Sequence, residues 1–156
     1  LAGTSAARSC VILFISLILV LASVMITPVF IHRMRDQRMI AVVLSGLILA
    51  GYVGLYLDAA HALPWMIVMG LGSGGALVLS ITLFSLRVES AAQSVAMSGM
   101  AQAVGYLVAA VTPICIGYIH DRTRQWTAAL LLMIGVVLVQ LVSGYLAGRS
   151  LKIRAA

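Results

Sequence analysis

Five long apolar runs without a single formally charged side chain dominate this sequence. They cover residues 10–31, 39–57, 64–86, 95–119 and 126–147, and the ten Lys or Arg and four Asp or Glu residues all lie outside them. Each run has about 19 to 25 residues, enough for a helix to cross a hydrocarbon core of about 30 Å. With 63% hydrophobic and 9% charged residues, the chain lacks the polar surface that a soluble domain needs.

The solvent for these runs is therefore lipid, and lipid restricts their backbone structure. The bilayer core offers no hydrogen-bond partners to backbone N–H and C=O groups, so helices that bond internally are expected. The alternating pattern of a membrane barrel strand is absent from the sequence. We predict an all-α, polytopic bundle of five transmembrane helices that forms one domain over residues 1–156.

Basic residues between the runs predict the orientation, because Lys and Arg accumulate on the cytoplasmic side. One side holds Arg33, Arg35, Arg38, Arg87, Arg149, Lys152 and Arg154, and the other holds Arg8, Arg122 and Arg124. We expect the N-terminus outside and the C-terminus in the cytoplasm. The net charge of +6 then reflects this bias and contact with anionic lipid, so no nucleic acid is expected as a partner.

Small and hydroxyl residues line the first and third runs at helical spacing. Ser16, Ser23 and Thr27 recur on one face of the first helix. This face indicates either a packing seam or a cavity lining, since small hydroxyl residues serve both purposes in membranes. In the third run, Gly70 and Gly74 form a GxxxG pair that favours close helix packing.

The fourth run is the most polar of the five. Ser94, Ser98, Gln102 and Tyr106 follow one another at four-residue steps and share one helix face. The amide of Gln102 needs a partner from a neighbouring helix, from water or from a ligand, and these alternatives stay open. Gly105 and Pro113 in the same run predict a flexible or bent point. The second and fifth runs contain mainly aliphatic residues and are expected to be lipid-facing support.

The apolar runs lack the residues that most catalytic mechanisms require. All four acids and all three histidines lie at the ends of the runs, so no intramembrane proton relay or metal ligand is predicted. The hydroxyl residues have no base at helical spacing. We expect no enzyme, no metal and no cofactor.

Several stretches together resemble a known family. These are the short loop ending Asp36-Gln37-Arg38, the GLGSGGA stretch at 70–76, the MAQAVGYLVA stretch at 100–109 and the His120-Asp121-Arg122-Thr123 end. The sequence resembles the major facilitator superfamily of transporters, and within it the cyanate and nitroimidazole permease branch.

The resemblance implies helices eight to twelve of a twelve-helix secondary transporter in the bacterial inner membrane. The N-terminal half would then be a missing partner, and solute would bind at the midplane between the two halves. It also implies a cytoplasmic loop that contains Arg33, Asp36 and Arg38. The cavity-lining residues that it implies, as hydrogen-bond partners of a small polar or anionic solute, are Ser16, Ser23, Thr27, Ser80, Gln102 and Tyr106.

Two other functions are compatible with five apolar helices. One is a membrane scaffold or assembly subunit that does not transport, in which the same helices serve packing alone. Saturable, Gln102-dependent solute binding would discriminate against it. The other is a small homodimeric drug exporter, and the lack of an acidic residue inside any run argues against that.

Overall fold

Five helices account for nearly all of the described structure. The computed structural model describes residues 6–34, 36–88 and 90–148. The helices are α1 (Ala6–Arg33), α2 (Arg38–Leu57), α3 (Ala62–Arg87), α4 (Ala91–Thr123) and α5 (Thr127–Ala147), with one 3₁₀ turn at Ala59–His61 before α3. All five are long and apolar enough to cross a membrane. The predicted all-helical fold with five spans is therefore confirmed.

The helices extend up to four residues beyond the predicted runs, and α4 does so at both ends. Ser90 accepts a hydrogen bond from the backbone N–H of Gln93 at 3.2 Å and so begins α4. Arg124, with a φ of 55°, ends it in the left-handed conformation. α1 and α4 continue through Pro28 and Pro113 as single helices. Four of the basic residues on which the predicted orientation depends lie outside the described residues, namely Arg35, Arg149, Lys152 and Arg154.

α3 is the central helix, and its glycines allow two neighbours to approach its backbone closely. A Cβ atom at Gly70 would lie 3.0 Å from the carbonyl oxygen of Ser16 in α1, and one at Gly74 would collide with that of Val20. On the opposite side, a Cβ at Gly72 would lie 2.7 Å from the carbonyl oxygen of Leu44 in α2. Close backbone contact replaces the hydrophobic driving force that lipid cannot supply.

α2 differs from the expectation that it is lipid-facing support. Its buried face packs against α3 and α5 and consists of Ile40, Ala41, Leu44, Ser45, Ile48, Gly51 and Gly54. Three of them, Ile40, Ala41 and Leu44, form a buried hydrophobic cluster with Ile31 of α1 and Leu79 of α3. An aliphatic helix has the same composition whether lipid or another helix covers it. The sequence therefore could not show that this face of α2 is buried.

α4 is the opposite case, because none of its described side chains is buried. It touches α3 and α5 only sparsely. A Cβ atom added at Gly99, Gly105 or Gly117 would meet nothing within 4 Å. The most polar of the five helices is thus the one with the fewest neighbours in this chain.

The glycine contacts of α3 predict a stability difference between two matched variants. Gly74→Leu would force a side chain into the backbone of α1 and should lower the free energy of unfolding by about 1–3 kcal/mol. Gly46→Leu is the control, since a Cβ at Gly46 in α2 meets nothing within 4 Å. Detergent-solubilised protein unfolded with SDS and followed by circular dichroism measures both. Equal destabilisation by the two variants would contradict this packing.

Candidate functional site

The fourth helix contributes a polar groove where it lies beside the end of α3. We name it the α3–α4 groove, and its lining residues are Ile81, Ser85, Ser94, Val95, Ser98, Gly99 and Gln102. Its volume is about 390 Å³, within the range of small-molecule sites. Ser94, Ser98 and Gln102 are four residues apart along α4, so their side chains follow one another on one face.

Two side-chain hydrogen bonds organise this groove. The Nε2 atom of Gln102 donates to the Oγ atom of Ser98 at 3.2 Å. Across the groove, the Oγ atoms of Ser85 and Ser94 lie 3.3 Å apart and share a hydrogen bond between α3 and α4. The described residues that line the groove carry hydroxyl, amide or apolar side chains and no charge. Such a site can bind a solute by hydrogen bonding, and these side chains supply no base for covalent catalysis.

The structure brings Gln102 into this groove but places the other expected cavity residues elsewhere. Ser23 and Thr27 are buried between α1 and α3. Ser23 donates to the carbonyl oxygen of Leu71 in α3 at 2.5 Å, while Thr27 donates within α1 to the carbonyl of Ser23 at 2.7 Å. This geometry favours the packing-seam alternative for these two residues.

Ser16, Ser80 and Tyr106 are also separated from Gln102. Ser16 donates to the carbonyl oxygen of Ile12 in its own helix at 3.1 Å. Tyr106 is 70% exposed and lies one step beyond the groove along α4. The role of all six residues in solute binding stays a prediction.

Ser80 lies in a second groove, between α2, α3 and α5, with a volume of about 490 Å³. Its polar lining consists of Ser45, Ser73, Ser80, Gln140 and Ser143. The hydroxyls of Ser73 and Ser80 donate to carbonyl oxygens of their own helix, at 3.1 and 2.7 Å. A third groove, between α4 and α5, is lined by apolar residues with Thr112 and Cys115 and has a volume of about 450 Å³.

Part of the α3–α4 groove could be predicted from the sequence, and the contribution of α3 was missed. The four-residue spacing placed Ser94, Ser98 and Gln102 on one face. Ser85 belongs to α3, and its approach to Ser94 depends on how the two helices pack. α3 ends at Arg87 and α4 begins at Ala91, so a short connection brings these helix ends together, but the helical period alone does not say which side chains meet.

The loop residues Arg33, Asp36 and Arg38 lie at the junction of α1 and α2. Asp36 accepts a hydrogen bond from the backbone N–H of Arg38 at 3.1 Å. The guanidinium carbon of Arg38 is 5.5 Å from the centre of the Tyr145 ring in α5, a distance at which cation–π attraction operates. Arg33 is exposed. Arg38 thus connects this loop to the end of α5.

At the other ends of the helices, the titratable residues Asp58, His61 and His120 contact neighbouring side chains. Nδ1 of His61 lies 2.8 Å from the carboxylate of Asp58, and this hydrogen bond is the main cause that lowers the pKa of Asp58. His120 stacks on Trp126 with ring centroids 4.1 Å apart. Among residues 6–34, 36–88 and 90–148, no three His, Cys, Asp or Glu side chains converge as metal ligands would.

Comparison with known proteins identifies relatives that are named transporters. The chain is 43% identical over 131 residues to the uncharacterized transporter YycB of Bacillus subtilis (strain 168). It is 41% identical over 130 residues to the 2-nitroimidazole transporter of Escherichia coli (strain K12). Both similarities cover 83% of this chain and 33% of the relative. The chain thus spans about a third of the length of these two proteins.

A third relative is a permease. Identity to the putative anionic 4-hydroxy-benzoate permease of Thauera aromatica is 40% over 92 residues, covering 59% of this chain and 56% of that protein. No family model and no solved structure matches the chain. The chain is therefore related to membrane transporters and permeases. None of these three relatives is named as an enzyme, which agrees with the expectation that this chain is not one.

The hydrogen bond of Ser23 predicts a role in stability. Ser23→Ala removes the bond to Leu71 between α1 and α3 and should lower the free energy of unfolding by about 0.6 kcal/mol, a typical value for such bonds in membranes. Ser80→Ala is the matched control, because its hydroxyl donates within its own helix. SDS unfolding of both variants tests this. An unchanged free energy of unfolding for Ser23→Ala would show that the α1–α3 bond is not stabilising.

Proposed function

We propose that this chain is the C-terminal part of a secondary active transporter for a small polar or anionic solute. The observation that carries the proposal is the similarity over 83% of the chain to two proteins named as transporters, of which the chain spans 33%. The resemblance to the cyanate and nitroimidazole permeases of the major facilitator superfamily supports the same function. The transporter works in the bacterial inner membrane by alternating access, without covalent chemistry.

The packing of α4 supports the proposal that an N-terminal half completes the protein. None of the described α4 side chains is buried, although this helix carries Gln102 and three hydroxyl residues of its polar face. Polar groups that face lipid are costly, so such a face is expected to contact protein, water or solute. A second half packed beside α4 would enclose this face, and secondary transporters bind solute between two such halves.

The two amides of the membrane spans provide a functional test. Gln102→Leu in the complete transporter should reduce flux of 2-nitroimidazole or 4-hydroxybenzoate at least about fivefold, because it removes a hydrogen-bond donor from the α3–α4 groove. Gln140→Leu should have a smaller effect, since Gln140 lies in the groove between α2, α3 and α5. Flux into proteoliposomes at matched protein amounts is the measurement. Equal flux through both variants would refute the role of Gln102, and no flux through the unmodified protein would favour a scaffold.

The proposed orientation, with the N-terminus outside, predicts which loops are accessible from each side. In a Cys10→Ser, Cys115→Ser background, Gln125→Cys between α4 and α5 should react with a membrane-impermeant thiol reagent on intact cells. Gln37→Cys between α1 and α2 should react only after permeabilisation. The reverse pattern of labelling would show that the orientation is inverted.

A further inference from the structure

The polar side chains of the α3–α4 groove can donate several hydrogen bonds to a solute. Gln102 already donates one N–H to Ser98, and its amide has a second N–H. Because Ser98 accepts that bond, its own hydroxyl hydrogen can point toward another acceptor. In the Ser85–Ser94 pair, one hydroxyl donates and the other keeps its hydrogen. Three hydrogens of the groove are therefore left to donate to a solute.

The hydrogen-bond geometry also makes Ser98 a strong donor. A hydroxyl that accepts a hydrogen bond is polarised, so that its own hydrogen becomes more positive. Ser98 receives such a bond from the amide of Gln102, one helical turn away on α4. The two side chains together form a small donor pair on one face of the helix.

We infer that the α3–α4 groove binds the planar oxygen-bearing group of the solute, a nitro or carboxylate group, through Ser98, Gln102 and the Ser85–Ser94 pair. This inference rests on the proposed function. Nitro and carboxylate oxygens only accept hydrogen bonds, so the N–H of Gln102 and the hydroxyls of the groove can donate to them. Hydrogen bonds to an ionised carboxylate are about twice as strong as those between neutral groups, so neutral donors can hold an anion.

Gly99 determines the space for this group. It lines the groove between Ser98 and the next turn of α4, and a Cβ atom at this position would meet nothing within 4 Å. A larger side chain can therefore be placed there without disturbing a neighbouring helix. It would occupy part of the groove volume of about 390 Å³.

The test compares solutes with and without the oxygen-bearing group. Purified complete protein is assayed for equilibrium binding of 2-nitroimidazole and 4-hydroxybenzoate, with imidazole and phenol as their stripped counterparts. We expect Ser98→Ala and Gln102→Leu each to weaken binding of the oxygen-bearing solutes about three- to tenfold, the usual effect of one lost hydrogen bond. Their affinity for the stripped solutes should stay within about twofold, and Ser98→Thr should restore binding.

Gly99→Leu should abolish binding of all four solutes, whereas Gly46→Leu on α2 should leave it unchanged. Size-exclusion chromatography and thermal unfolding confirm that each variant is folded. If the unmodified protein binds these solutes and the Ser98, Gln102 and Gly99 variants bind them equally well, the inference is overturned and the proposed function stands. If the unmodified protein neither binds nor transports any of them, both are overturned.

Discussion

The close approach of two helices to the backbone of α3 is the contact on which the described structure depends. Gly70 and Gly74 receive the carbonyl groups of α1, and Gly72 receives those of α2 on the other side. In lipid, apolar side chains gain little by leaving their surroundings, so backbone proximity and dispersion must hold the helices together. The cluster of Ile31, Leu44 and their neighbours is a consequence of this approach.

α4 stands outside this packed unit, and that position gives it a different role. Glycine contacts hold α1 and α2 against α3 and so form a three-helix unit. α5 packs against this unit mainly through α2. α4 has open space at Gly99, Gly105 and Gly117 and carries the polar face that includes Gln102. In a transporter, the rigid unit would position this face, and solute and the other half would contact it. In the proposed transporter, the contacts of α1 and α2 with α3 would stabilise the chain, and α4 would supply most of the polar side chains that meet the solute.

Sequence alone predicted the elements of this fold far better than their contacts. The five spans followed from run length, because the thickness of the bilayer fixes how long an apolar helix must be. The face shared by Ser98 and Gln102 followed from the helical period. The burial of α2, the divergence of Ser80 from Gln102 and the approach of Ser85 to Ser94 could not be predicted. Each of these depends on which helices pack together, and apolar spans have the same composition toward lipid and toward protein.

The reading frame upstream of the Leu1 codon tests the central claim, that these helices are one part of a larger transporter. The account predicts an open frame that encodes about seven further apolar runs, each of about 20 residues. Such runs would supply the protein that encloses the polar face of α4. A stop codon followed closely by a start site would mean that the five helices form the whole protein, and it would contradict this account.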